Sequence, residues 1–132
     1  MTVIDTSAII AAAAGEPESE QVLEALSQRL PLYMSAATWV ELWIVVDSRG
    51  DPTLSNDVEE LLTEVEVEPV TADQADLARR AYRQYGKGSG SGARLNYGDC
   101  FSYALAKARH EPLLYVGQDF ARTDLEPPPE PS

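Results

Sequence analysis

The sequence predicts an α/β fold: a central parallel sheet of four to five strands covered by helices on both faces. Three observations carry that expectation. Short apolar runs near residues 2–4, 32–34, 65–70 and 113–116 alternate with stretches of helical periodicity, the order that parallel strands joined by helical crossovers require. The 132 residues suit one domain built on one such sheet. An acid, Asp5, follows the first apolar run directly, and sheets of this kind bind ligands beyond the carboxyl ends of their strands.

Taken in order, Thr2 to Ile4 reads as a strand, and Thr6 and Ser7 supply hydroxyls before an alanine-rich helix. Pro17 can begin a second helix, with Val22, Leu23 and Leu26 at helical spacing, that runs to Arg29 and stops at Leu30-Pro31. Leu32 to Met34 is the second strand. Ser35 caps a helix running through Trp39, Glu41 and Trp43 toward Asp47, ended by the string Arg49-Gly50-Asp51-Pro52. A helix from Leu54 to Thr63 leads into Val65, Val67 and Val70, the third strand. Ala75, Leu77, Ala78, Ala81 and Tyr82 mark a helix over 72–85 that Gly86 ends. Residues 86–94, GKGSGSGAR, have the composition of a linker and are expected to form a mobile loop within the domain. The apolar helix after them, Tyr97 to Arg109, could not stand alone. Leu113 to Val116 is the fourth strand. The domain is expected to span residues 1–125, followed by a disordered Pro/Glu-rich tail at 126–132.

Ten basic residues face 22 acidic ones, for a formal charge of −12. That balance argues against nonspecific nucleic-acid binding unless divalent cations reverse the local field. Cys100 is the only cysteine, which rules out an internal disulfide and fits a reducing compartment. His110 is the only histidine, so a zinc site of nitrogen and sulfur ligands is not expected. The start of the chain carries no signal-peptide pattern. Its longest apolar stretch, interrupted by Glu41, is far shorter than the roughly 20 residues of a membrane span, so a cytoplasmic protein is expected.

Four acids stand out. Asp5 lies at a strand end. Glu41 sits among Trp39, Val40, Leu42 and Trp43, where an unpaired buried ion costs several kcal/mol. Asp99 opens an apolar helix, and Asp119 follows the fourth strand with Asp124 close behind. Each has an ordinary structural explanation as a cap or a solvated side chain. Four acids meeting at one sheet edge do not, because converging carboxylates repel unless protons or cations intervene. An all-oxygen cluster suits Mg²⁺ or Mn²⁺, which serve phosphoryl-transfer chemistry.

The strings DTSA from Asp5, WVELW around Glu41, LNYGDCFSYALAK around Asp99 and LLYVGQDFARTDL resemble the PIN domain of VapC-type toxins over residues 2 to 125. The resemblance implies an α/β/α sandwich, a Mg²⁺- or Mn²⁺-dependent endoribonuclease, a homodimer, and inhibition by a VapB-like antitoxin. It carries the family's acidic quartet onto Asp5, Glu41, Asp99 and Asp119. Asp124 is a further candidate able to exchange roles with Asp119, and Ser7 is the hydroxyl supporting the first aspartate. Where many relatives have a His-Pro element before Ala93, this chain has Gly-Ser repeats.

On this reading Asp5, Asp99 and Asp119 ligate one or two ions, and Glu41 ligates or orients the attacking water. Lys87, Arg94, Asn96 and Arg122 are candidates for RNA contact, with the loop closing over substrate. Two other functions compete. A noncatalytic module would use the acids to receive an arginine-rich partner segment. An aspartate-nucleophile phosphatase would usually carry a second Asp where Ser7 stands.

Overall fold

The computed structural model describes residues 1–125; the 126–132 tail, expected to be disordered, lies outside the described residues. Four parallel strands, β1 (Thr2–Ile4), β2 (Leu32–Ser35), β3 (Val65–Glu68) and β4 (Leu113–Leu114), form one sheet in the order β3-β2-β1-β4. Between them run α1 (Thr6–Ala13), α2 (Ser19–Gln28), α3 (Ala36–Arg49), α4 (Pro52–Leu62), α5 (Ala72–Tyr85) and α6 (Tyr97–Arg109).

Strand side chains alternate between the two faces, as the two-residue period demands. Ile4, Leu32, Met34 and Leu114 join a core with Ile9, Val22, Leu42 and Val58 from α1 to α4. Val3, Tyr33 and Leu113 face the other way, onto Ala78 and Ala81 of α5 and Tyr103 and Leu105 of α6. The result is the expected three-layer α/β/α sandwich. Burying each large aliphatic side chain contributes about 1.5–3 kcal/mol. Among the described residues no helix is long and apolar enough to cross a membrane.

Local chemistry sets most helix boundaries. Ser35 caps α3 by accepting from the Ala37 N–H, and Gly50 ends it in the left-handed region at φ 61°. Asp51 then caps α4 through the N–H groups of Thr53 and Leu54, with Pro52 in its first turn. This helix therefore begins two residues before the expected Leu54. Thr71 caps α5, drawing the chain out of β3 before Val70 can pair.

The fourth strand is shorter than expected, ending at Leu114 rather than Val116. The Val116 N–H donates to the Ser7 hydroxyl instead of to a neighbouring strand. The 86–94 loop is stapled at its base, where the Lys87 N–H donates to the Leu95 carbonyl and the Leu95 N–H to the Tyr85 carbonyl. Ala93 within it and Leu95 just after it are buried.

The connections from β1 to β3 place α1 to α4 on one face, and α5 and α6 cross over the other face to reach β4 beyond β1. The direction of winding thus reverses at β1, and a crevice opens beyond the carboxyl ends of β1 and β4. Asp5 is the first residue past that edge.

Candidate active site

Asp5 is 3% exposed, yet both carboxylate oxygens have partners. Oδ2 accepts from the Ser7 N–H at 3.1 Å and the Ser7 hydroxyl at 2.8 Å, and Oδ1 accepts from the Ser102 hydroxyl at 2.6 Å. Backbone bonds fix the same corner, since the Asp5 N–H donates to the Leu114 carbonyl. Ser7 joins Asp5 to Val116, and Ser102 also lies 3.1 Å from the Thr38 hydroxyl. The carboxylate therefore ties β1, α1, α3, α6 and the end of β4 together, and hydrogen bonding from these donors offsets its desolvation.

Glu41 is half-buried on α3, and its Oε1 accepts from the Thr6 hydroxyl at 3.0 Å. Its carboxyl lies against the backbone of Gly98. Burial raises its pKa, the Thr6 hydrogen bond opposes that, and the charge of Asp5 adds to it.

Asp99 sits at the third position of α6 in a capping box with Asn96. The Asn96 side chain accepts from the Asp99 N–H at 2.8 Å, and the Asp99 carboxylate accepts from the Asn96 N–H at 3.0 Å. Its pKa is pushed up to about 7. Burial contributes most, the Asn96 N–H opposes it, and the charges of Asp5, Asp119 and Glu41 raise it further.

Asp5, Glu41 and Asp99, from three elements, line one open cleft of about 370 Å³ together with Ser7, Glu16 and Asn96. Asp119 does not line it. That side chain is exposed beyond β4 and reaches the cluster through its charge on Asp99.

Asp124 is not brought to the cleft. It accepts from the Tyr103 hydroxyl at 2.5 Å and from Lys107 at 2.8 Å, on a separate surface with His110 and Pro112. Burial works against its charge, but Lys107 and Tyr103 hold its pKa below the ordinary value. Phe120, buried against Tyr115, anchors the 3₁₀ turn Phe120–Arg122 that precedes it.

Of the candidate RNA contacts, only Asn96 lines the cleft, and its side chain is committed to capping α6. Lys87, Arg94 and Arg122 are exposed outside it, with Arg122 lying along Gly92 of the stapled loop.

Among the described residues no three His, Cys, Asp or Glu side chains are already arranged as a ligand set for a metal ion. The carboxylate oxygens point instead at the hydroxyls of Ser7, Ser102 and Thr6 and at the Asn96 N–H. The donor chemistry nonetheless fits a hard divalent cation. It is all oxygen, and the mutual repulsion that raises Asp99 is of the kind a cation relieves.

The sequence reading named Thr6 only as a hydroxyl before the first helix, and did not mark Glu16, Gly98 or Ser102 as site residues. Ser102 had a legible signal, being three residues after Asp99 and hence on the same helix face. Its replacement, Ser102→Ala, is expected to lower stability by about 1–3 kcal/mol through the lost bond to a buried carboxylate. Urea unfolding checks this; unchanged stability would mean Asp5 needs no such support.

Comparison with known proteins gives a consistent picture. The family model described as PIN domain matches residues 2–126. Ribonuclease VapC28 of Mycobacterium tuberculosis is 48% identical over 126 residues, covering 94% of this chain and 95% of its own. The crystal structure of Mycobacterium tuberculosis VapC20, described as a Sarcin-Ricin loop cleaving toxin, superposes with a TM-score of 0.76 at 21% identity, covering 96% and 97% of the two chains. VapBC2 from Rickettsia felis, bound to a DNA fragment from its promoter, matches with a TM-score of 0.69 at 18% identity over 93% and 92%.

Proposed function

This chain belongs to the PIN-domain family, and from that premise we propose that it is the toxin of a type II toxin-antitoxin pair, an endoribonuclease that hydrolyses RNA phosphodiester bonds in the Asp5, Glu41 and Asp99 cleft. One observation carries the reading: three carboxylates, one just past the end of β1 and the others from α3 and α6, line a single cleft at the point where the sheet reverses its winding. Nearly full-length identity of 48% to a ribonuclease of the VapC group supports the same activity.

Asp5 and Asp99, with Glu41 beside them and Asp119 approaching from the β4 side, would hold Mg²⁺ or Mn²⁺. When bound, such an ion offsets the negative charge that develops on the phosphodiester and acidifies water. The chain supplies the remainder. Ser7 and Ser102 hold the Asp5 carboxylate in one orientation. Asn96 does the same for Asp99 through its N–H.

The Glu41 carboxyl, steadied at Oε1 by Thr6, orients the attacking water and takes its proton as the water oxygen bonds to phosphorus and the P–O bond to the leaving sugar oxygen breaks, that oxygen taking a proton from solvent. Its raised pKa brings it closer to neutrality, where a proton acceptor works best. Lys87, Arg94 and Arg122, exposed outside the cleft, would serve as surface contacts for RNA phosphates.

The partner is a VapB-like antitoxin whose basic segment fits the acidic cleft by charge-assisted hydrogen bonding. Support for the homodimer comes from Trp39, Val40 and Ile44, apolar residues 40%, 50% and 64% exposed along α3. Cleavage of cellular RNA under the control of an antitoxin fits a cytoplasmic protein.

The test is sequencing of RNA ends after brief expression, with purified protein assayed with Mg²⁺ and with chelator. Defined new ends, absent with Asp5→Asn and with chelator, are the expected result. Cleavage that survives both controls would sink the assignment. A chain that binds antitoxin but neither Mg²⁺ nor RNA would instead be the noncatalytic module.

A further inference from the structure

We infer that Gly98 is a positioning residue for Glu41, a seat on α6 whose missing side chain lets the α3 carboxyl approach the turn that carries Asp99. The inference rests on the reading of this cleft as the cation and RNA site. The backbone does not explain the glycine. Gly98 is in the first turn of α6, and its φ lies outside the left-handed region. On helix propensity alone an alanine there would be favoured over glycine.

The surroundings do explain it. A Cβ built on Gly98 would overlap Oε2 and the carboxyl carbon of Glu41 and lie 2.9 Å from Oε1. These atoms are the far end of a flexible side chain rather than backbone. Added bulk at position 98 therefore pushes the carboxyl aside and leaves α6 in place.

The Glu41 carboxyl meets the Thr6 hydroxyl of α1 and the Gly98 backbone at once. A carboxyl moved off Gly98 can no longer keep the position it holds against Thr6 in the cleft with Asp5 and Asp99. Among the described glycines, Gly98 alone would meet an acid of the cleft; Gly86 would meet Tyr82 and Gly92 would meet Arg122, and at the others nothing lies within 4 Å. One methyl group at Gly98 is thus a selective probe of where the Glu41 carboxyl must stand.

The test compares four proteins: the parent, Gly98→Ala, Glu41→Ala and the double variant. Two readouts are used, the midpoint of heat unfolding without divalent cations and the affinity for Mn²⁺ by calorimetry. Gly98→Ala should lower the midpoint in the parent and raise it in the Glu41→Ala background, where only the helix preference for alanine remains. In the parent it should weaken Mn²⁺ binding by about 10- to 100-fold. With Glu41 already removed it should weaken binding no further.

A midpoint shift of the same sign and size in both backgrounds means no contact is made, and overturns the inference. So does a Gly98→Ala protein that binds Mn²⁺ like the parent while Glu41→Ala does not; the functional reading then stands without the seat. If neither variant alters Mn²⁺ affinity, Glu41 has no part in cation binding, and the inference falls together with that part of the functional reading.

Discussion

An Asp99→Asn protein is expected to fold, to resist heat better than the parent at pH 8, and to cleave RNA at least about 10²-fold more slowly. The stability gain follows from the sign of the pKa shift. In the folded chain Asp99 is raised from 3.8 to about 7, so between those values the folded state holds a proton that the unfolded state has released. The stability belonging to the protonated form is fully present below about 3.8 and is lost as pH rises through about 7. At pH 8 the parent therefore carries a destabilising ionised carboxylate. Asparagine removes that charge while its carbonyl can still accept from the Asn96 N–H.

Stability and activity thus move in opposite directions, as expected where a strained charge cluster serves chemistry. Circular dichroism melts at pH 5 and pH 8, set beside a cleavage assay, check the pair. A variant less stable than the parent at pH 8, or one that cleaves normally, would show that Asp99 serves only to cap α6.

Divalent cation is expected to stabilise the metal-free protein strongly. Mg²⁺ or Mn²⁺ at 100 times its dissociation constant adds about 2.7 kcal/mol, a rise in melting temperature on the order of 10 °C for a domain of this size. The gain should shrink as pH falls through about 7, because Asp99 then holds a proton that the cation must displace. Asp5→Asn and Asp99→Asn should each remove most of it. Scanning calorimetry with and without chelator measures the effect. An equal shift in the parent and both variants would place the cation elsewhere, at one of the many surface acids.

Sequence alone determined the architecture. Apolar runs of strand length alternating with helical periodicity leave a parallel sheet as the economical way to bury both sets of side chains, and the structure has that sheet. Capping residues act within a few positions of themselves, so Ser35, Gly86 and the Arg49 to Pro52 string marked helix ends legibly. Asp5, Glu41 and Asp99 were legible as well. Each breaks a local pattern by placing a carboxylate beside an apolar run, and such breaks are conspicuous along a chain.

Only the tertiary structure decided which atoms meet across elements. Nothing in the string QDFARTDL says that Asp119 stays out at the rim while Asp124 turns back to Lys107 and Tyr103. That outcome depends on Phe120 finding its place against Tyr115 in the core. Likewise Ser102 reaches Asp5 from 97 positions away, Thr6 reaches Glu41 from 35 away, and Gly98 offers its bare backbone to a carboxyl on α3. Hydrogen bonds and close contacts act over a few ångströms in space, and packing alone brings such distant positions within that range.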